Sequence, residues 1–128
     1  MDLLEKVVAL ENDADAFGFR WKKTEQIMAQ IESECLEIQE HLQAGPAVNQ
    51  FELQEEIGDL LHAVFSLCVF CKFSPREMLE KTLGKFEARL NAVKLLAKEQ
   101  GLMDLNGHSF EELMVLWDKA KNLCDQKV

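Results

Sequence analysis

The sequence of 128 residues has no tyrosine, only two prolines and only six glycines. So few backbone punctuators favour long helices and argue against many short strands joined by Gly/Pro turns. Positive charge is also scarce: 14 Lys and Arg stand against 23 Asp and Glu, a net charge of −9. That balance argues against nucleic acid as a partner, because its backbone is bound by clustered Lys and Arg. A small phosphorylated ligand remains open if cations bridge the two. No apolar run approaches the roughly 20 residues that span a bilayer. The amphipathic, acidic start Met1-Asp2-Leu3-Leu4-Glu5 lacks the pattern of a signal peptide. The expectation is a cytoplasmic protein with no membrane partner. The cysteines Cys35, Cys68, Cys71 and Cys124 include one C-x-x-C, inside the run Val64–Phe73, without a second pair or a surrounding turn. Zinc and redox motifs need a loop or a helix start there, so these thiols are expected to be reduced and buried.

Hydrophobic residues make up 48% of the chain, with eight Phe and two Trp. A chain of this length is expected to form a single domain, residues 1–128. Apolar spacing predicts a first helix over 2–16 and a loop at Phe17-Gly18-Phe19-Arg20-Trp21. A second helix is expected from Thr24 to Gln43, with Ile27, Ile31, Cys35, Ile38 and Leu42 on its buried stripe. Gly45-Pro46 ends it, and a third follows from Gln50 to Cys71, with Leu53, Ile57, Leu60, Leu61, Val64, Leu67 and Cys68 inward. Ser74-Pro75-Arg76-Glu77 and Ser109-Phe110-Glu111-Glu112 have the capping-box pattern that opens a helix. They begin a fourth helix to about Gln100, with Met78, Leu79, Leu83, Phe86, Leu90, Val93 and Leu96 apolar, and a fifth to about Cys124. In the fifth, Leu113, Leu116, Trp117 and Ala120 face inward. The fold class is all-α, a bundle of about five helices.

The second and third helices each carry two acids three residues apart, Glu34/Glu37 and Glu56/Asp59. Such pairs sit on one helix face, with Cβ atoms about 5–6 Å apart. A single pair is ordinary solvated surface. Two pairs, each bordering an apolar stripe on helices joined by a short turn, can converge, and buried carboxylates then require cations. All-oxygen ligation suits Mg²⁺ or Mn²⁺. A di-iron bundle needs two Glu-x-x-His units, and this chain offers only Asp59-Leu60-Leu61-His62. His62 reads as half-buried, His41 and His108 as surface residues. Gly58, mid-helix between Glu56 and Asp59, suggests that a helix or ligand approaches closely there.

The order Glu34-x-x-Glu37, Glu56-Ile57-Gly58-Asp59-Leu60-Leu61, Lys85-Phe86-Glu87-x-Arg89 and Trp117 resembles the MazG nucleoside triphosphate pyrophosphohydrolases. Phe17-Gly18-Phe19-Arg20-Trp21 is similar to the family's entrance segment, and the likeness extends from about Phe17 to Lys121. The resemblance implies a Mg²⁺-dependent enzyme that cuts a nucleoside triphosphate between the α and β phosphates. Glu34, Glu37, Glu56 and Asp59 would hold the metal in a four-helix core and form the catalytic set, with Glu34 or Glu37 as proton acceptor. Lys85 and Arg89 would contact the phosphates, and Trp21 would lie near the nucleotide. Ser33, His62 and Leu83 depart from the family's usual acid, aromatic and Asn, and His62 and Leu83 point to altered base or sugar recognition.

The other class of function open to this sequence is a non-catalytic helical module that binds a nucleotide or a protein. Val64, Phe65, Phe70 and Phe73 spread over several faces of one segment, which predicts a homodimer, with a tetramer as the alternative.

Overall fold

The computed structural model describes residues 1–125, and these are helical with no strand among them. The helices are α1 (Leu3–Phe17), α2 (Thr24–Gln43), α3 (Gln50–Phe70), α4 (Pro75–Glu99) and α5 (Phe110–Asp125). The all-α expectation holds, with boundaries within a residue or two of those predicted. One short element was not foreseen: Gly45–Ala47 forms a 3₁₀ turn between α2 and α3, with Gly45 at φ +57°.

Local chemistry sets most helix ends. Asp2 and Glu5 form a reciprocal capping box, Glu5 N–H donating to Asp2 Oδ1 at 2.9 Å. That backbone donor, followed by the charge of Arg76, holds the Asp2 carboxyl below its usual range. Asn49 Oδ1 caps α3 and Ser74 Oγ caps α4 through the N–H groups of Glu52 and Glu77. At α5, Ser109 Oγ accepts from Glu112 N–H, and Ser109 N–H donates back to Glu112 Oε1. Three helices close by the same paired bonds: the 6→1 bonds are Phe19 N–H to Ala14 O, Phe73 N–H to Cys68 O and Leu102 N–H to Ala97 O. Glycine takes the left-handed position after α1 and α4 (Gly18, φ +94°; Gly101, φ +78°), whereas Lys72 occupies it after α3 at φ +68°.

The chain divides into two compact units, Met1–Met78 and the residues from Leu79 onward. In the first, α2 packs against α3, and α1 lies more sparsely on α3. Its core is small: Ile27, Ala63 and Cys68 are buried with Ser66 and Glu34. In the second, Ala97, Leu116 and Ala120 are buried. Trp117 packs edge-tilted on Phe86, with ring centroids 5.9 Å apart.

The expected stripes are only partly covered. Of the α2 set, Ile27 is buried, Ile31 and Ile38 are half-buried, and Cys35 and Leu42 are exposed. On α3, Ile57, Leu61 and Val64 are exposed. On α4, Met78, Leu79, Leu83, Phe86 and Leu90 are exposed. The α5 set is buried or half-buried as predicted. Of the cysteines, all free, only Cys68 is buried; Cys35 and Cys71 are exposed, on faces left uncovered among the described residues. Gly58 is likewise approached by nothing, and a Cβ there would meet open space.

Candidate active site

The turn at Gly45–Ala47 folds α3 back along α2, which brings their acidic residues together. Oxygens of Glu34, Glu56 and Asp59 lie within 4.8 Å of one another. Glu34 is buried, Glu56 half-buried and Asp59 exposed, so the cluster opens from the packed seam to solvent. Glu37, itself exposed, reaches Glu56. A proton shared with Glu37 is the main reason that the Glu56 carboxyl is pushed up to about 7, with partial burial and then Glu34 adding to it.

Glu34 is held asymmetrically. Gln30 Nε2 donates to its Oε1 at 2.7 Å, while its Oε2 is buried with no hydrogen-bond partner among the described residues. An ionised carboxylate buried with an empty oxygen is costly unless a cation or donor is supplied. The donor set therefore fits a hard divalent ion.

Beside the cluster lies a cavity of about 1170 Å³, lined by Glu34, Asp59 and Trp21 among others. Trp21 thus shares a cavity with two acids of the quartet. Lys85 and Arg89 lie on α4 in the second unit. Lys85 is exposed. Arg89 is not free: its guanidinium meets both Asp125 oxygens at 3.1 and 3.2 Å and stands 5.7 Å over the Trp117 ring.

The histidines reverse expectation. His62 is 68% exposed at the side chain, whereas His41 and His108 are 25% exposed. His41 sits at the inner edge of the acidic cluster, 3.9 Å from Glu56 and 4.0 Å from Glu52. Residues missed by sequence reasoning are Gln30, His41, Glu11 and Ser66. Gln30 was legible, since i and i+4 on a helix are neighbours. Glu11 meets Ser66 only through the fold of α1 on α3.

Residues 22–94, more than half of the chain, match the MazG nucleotide pyrophosphohydrolase domain. The chain is 34% identical over 112 residues to the nucleoside triphosphate pyrophosphohydrolase/pyrophosphatase MazG of Thermotoga maritima, an overlap of 88% of this chain and 41% of that protein. It is 28% identical over 104 residues to the nucleoside triphosphate pyrophosphohydrolase of Escherichia coli K12, covering 81% of this chain and 39% of that protein. Bacillus subtilis YabN, an uncharacterised protein, is 36% identical over 75 residues, 59% of this chain and 15% of YabN. The chain thus spans less than half the length of these relatives.

Proposed function

This chain belongs to the MazG nucleotide pyrophosphohydrolase family, and from that premise we propose that it hydrolyses a (deoxy)nucleoside triphosphate between the α and β phosphates, releasing the monophosphate and pyrophosphate. The observation that carries this reading is the convergence of Glu34, Glu56 and Asp59 beside a large cavity, with a buried Glu34 oxygen lacking any donor. Glu34, Glu37, Glu56 and Asp59 would hold Mg²⁺, with Mn²⁺ as a substitute. When bound, the ion lowers the pKa of a coordinated water and offsets phosphate charge.

The chain's own share is orientation and proton transfer. Gln30 pins one Glu34 oxygen and leaves the other without a hydrogen-bond partner among the described residues. Glu34 or Glu37 would accept the proton from the attacking water, and of the two Glu37 is the more exposed. Trp21 offers an aromatic face to the base. Lys85 and Arg89 would neutralise the leaving pyrophosphate; for Arg89 this means exchanging Asp125 for phosphate. The family match runs across the boundary between the two units, which supports treating residues 1–128 as one functional domain.

The uncovered faces of Ile57, Leu61, Val64 and Phe73 support a homodimer, or a tetramer, that completes the bundle. Light scattering should then give a mass of at least twice 14.7 kDa. The cytoplasm, where nucleoside triphosphates are held, is the location this reading implies; no single helix among the described residues is long and apolar enough to cross a membrane.

The deciding experiment is a panel of ribo- and deoxyribonucleoside triphosphates with Mg²⁺, products resolved. Pyrophosphate and monophosphate are expected. Orthophosphate would overturn the bond assignment. Nucleotide binding without turnover, in Mg²⁺ and in Mn²⁺ alike, would make the chain a non-catalytic module.

A further inference from the structure

A second polar group lines the same cavity and takes no part in the acidic cluster. Glu11, on α1, reaches α3 through one oxygen: Oε1 accepts from Ser66 Oγ at 2.6 Å and lies 2.9 Å from His62 Nε2. Ser66 is buried and the Glu11 side chain is 17% exposed, so the Ser66 contact is sheltered, while His62, 68% exposed, meets Glu11 from the solvent side. The other Glu11 oxygen makes no hydrogen bond among the described residues. Both Glu11 and its two partners line the cavity.

The position of this group along α3 is informative. His62 and Ser66 follow Asp59 by three and seven residues, so they continue its face by about one and two helical turns. A nucleotide whose phosphates lie at Glu34 and Asp59 would therefore present its nucleoside part to Glu11. An ionised carboxylate only accepts hydrogen bonds. The cavity lining includes the apolar Val8, Val69 and Phe70 together with the polar Asn12, Asp15 and Lys72. Apolar side chains beside a fixed acceptor suit the face of a planar base that carries an exocyclic amino donor at its edge.

We propose that Glu11, held by Ser66 and His62, is a specificity-determining residue that accepts a hydrogen bond from an exocyclic amino group of the base. Cytosine and uracil differ at one position in this respect, an amine against a carbonyl oxygen, and the carbonyl would meet the carboxylate as two acceptors. The inference rests on the pyrophosphohydrolase reading for the placement of the phosphates, but it can be tested without turnover.

The experiment compares CTP with UTP in steady-state hydrolysis with Mg²⁺, and CMP with UMP in calorimetric titration without it. Wild type should favour CTP by about tenfold or more in kcat/KM, expressed mainly in KM, as expected for a hydrogen bond to a charged group. CMP should bind more tightly than UMP by a similar factor. Glu11→Gln, which offers an amide donor in the same shape, should bring both ratios to about one or reverse them. Ser66→Ala, which frees Oε1, should alter the ratio without the reversal, and serves if Glu11→Gln fails to fold. Equal handling of the two bases by wild type, or an unchanged preference in Glu11→Gln, would overturn the proposal. If no triphosphate is cut yet CMP outcompetes UMP, the activity reading fails and the subsite stands.

Discussion

Each unit of this protein gathers buried charge, and the two do it in opposite ways. In the first, Glu34, Glu56 and Asp59 crowd together, and the Glu56 carboxyl is pushed up to about 7 by its hydrogen bond with Glu37, by partial burial and by Glu34. In the second, the Arg89 guanidinium, 14% exposed, is matched by Asp125 and by the face of Trp117. Like charges brought together raise the energy of the fold, whereas a charge that finds a counter-ion and an aromatic face lowers it. The acidic cluster thus gathers like charges, whereas Arg89 is set against an opposite one, although its Nε, like Glu34 Oε2, is buried with no hydrogen-bond partner among the described residues.

The sharpest break of this contrast is Glu34→Gln. It should reduce hydrolysis by about a hundredfold or more, as losses of groups that stabilise transition-state charge do. The same substitution removes a buried, half-satisfied anion, so the metal-free protein should melt at the same temperature or higher. Full activity in steady-state assays would remove the metal assignment. Lower activity with a lower melting temperature would make Glu34 structural.

The pH dependence of the metal-free fold is the next test. Glu56 titrates near 7 in the folded chain and near 4.5 when free. The folded state therefore binds the extra proton between those values, and stability follows the proton. The contribution is fully present below pH 4.5 and is lost as pH rises through 7. Thermal melts should show stability declining over that window in chelator, and saturating Mg²⁺ should oppose the decline. A flat profile in chelator, or one rising with pH, would contradict the crowding of Glu56 by Glu37 and Glu34.

On the other side of the comparison, Arg89→Ala should lower stability by about 1–2 kcal/mol, from the ion pair and the Trp117 contact together. Lys85→Ala, at an exposed position, should stay within about 0.5 kcal/mol and show itself only as a raised KM. Chemical denaturation of both variants checks this. An Arg89 variant that keeps its stability while losing kcat would mean that phosphate, not Asp125, is its working partner.

A last, stabilising effect lies at the turn after α3. Lys72 holds a left-handed backbone that costs a residue with a Cβ about 1 kcal/mol. Lys72→Gly should stabilise the chain by up to that amount, read from the denaturant midpoint. Because Lys72 also borders the cavity, a simultaneous change in KM would show that its charge matters as well.

The helix ends were legible because their chemistry is local. Ser74 with Glu77 and Ser109 with Glu112 satisfy backbone donors within three residues, whatever the rest of the chain does. The acidic quartet was legible as two i,i+3 pairs, and the fold of α3 on α2 brings three of its members together and sets Glu37 against Glu56. Exposure was not legible. Periodicity marks which face of α4 is apolar but not whether anything covers it, so Leu83 and Phe86 remain open to solvent. The reversal of His62 and His41 has the same origin, since one apolar-bordered position faces a cavity and the other a neighbouring helix.

By itself the sequence determined where the helices begin and end, which residues carry charge at i,i+3 spacing, and which family the chain resembles. These follow from interactions a few residues long. The tertiary structure alone decided that Glu34 would be buried with an empty oxygen, that Arg89 would be matched by Asp125, and that Glu11 would meet Ser66 across 55 residues. Those outcomes depend on how helices pack in three dimensions, and no short stretch of chain contains that information.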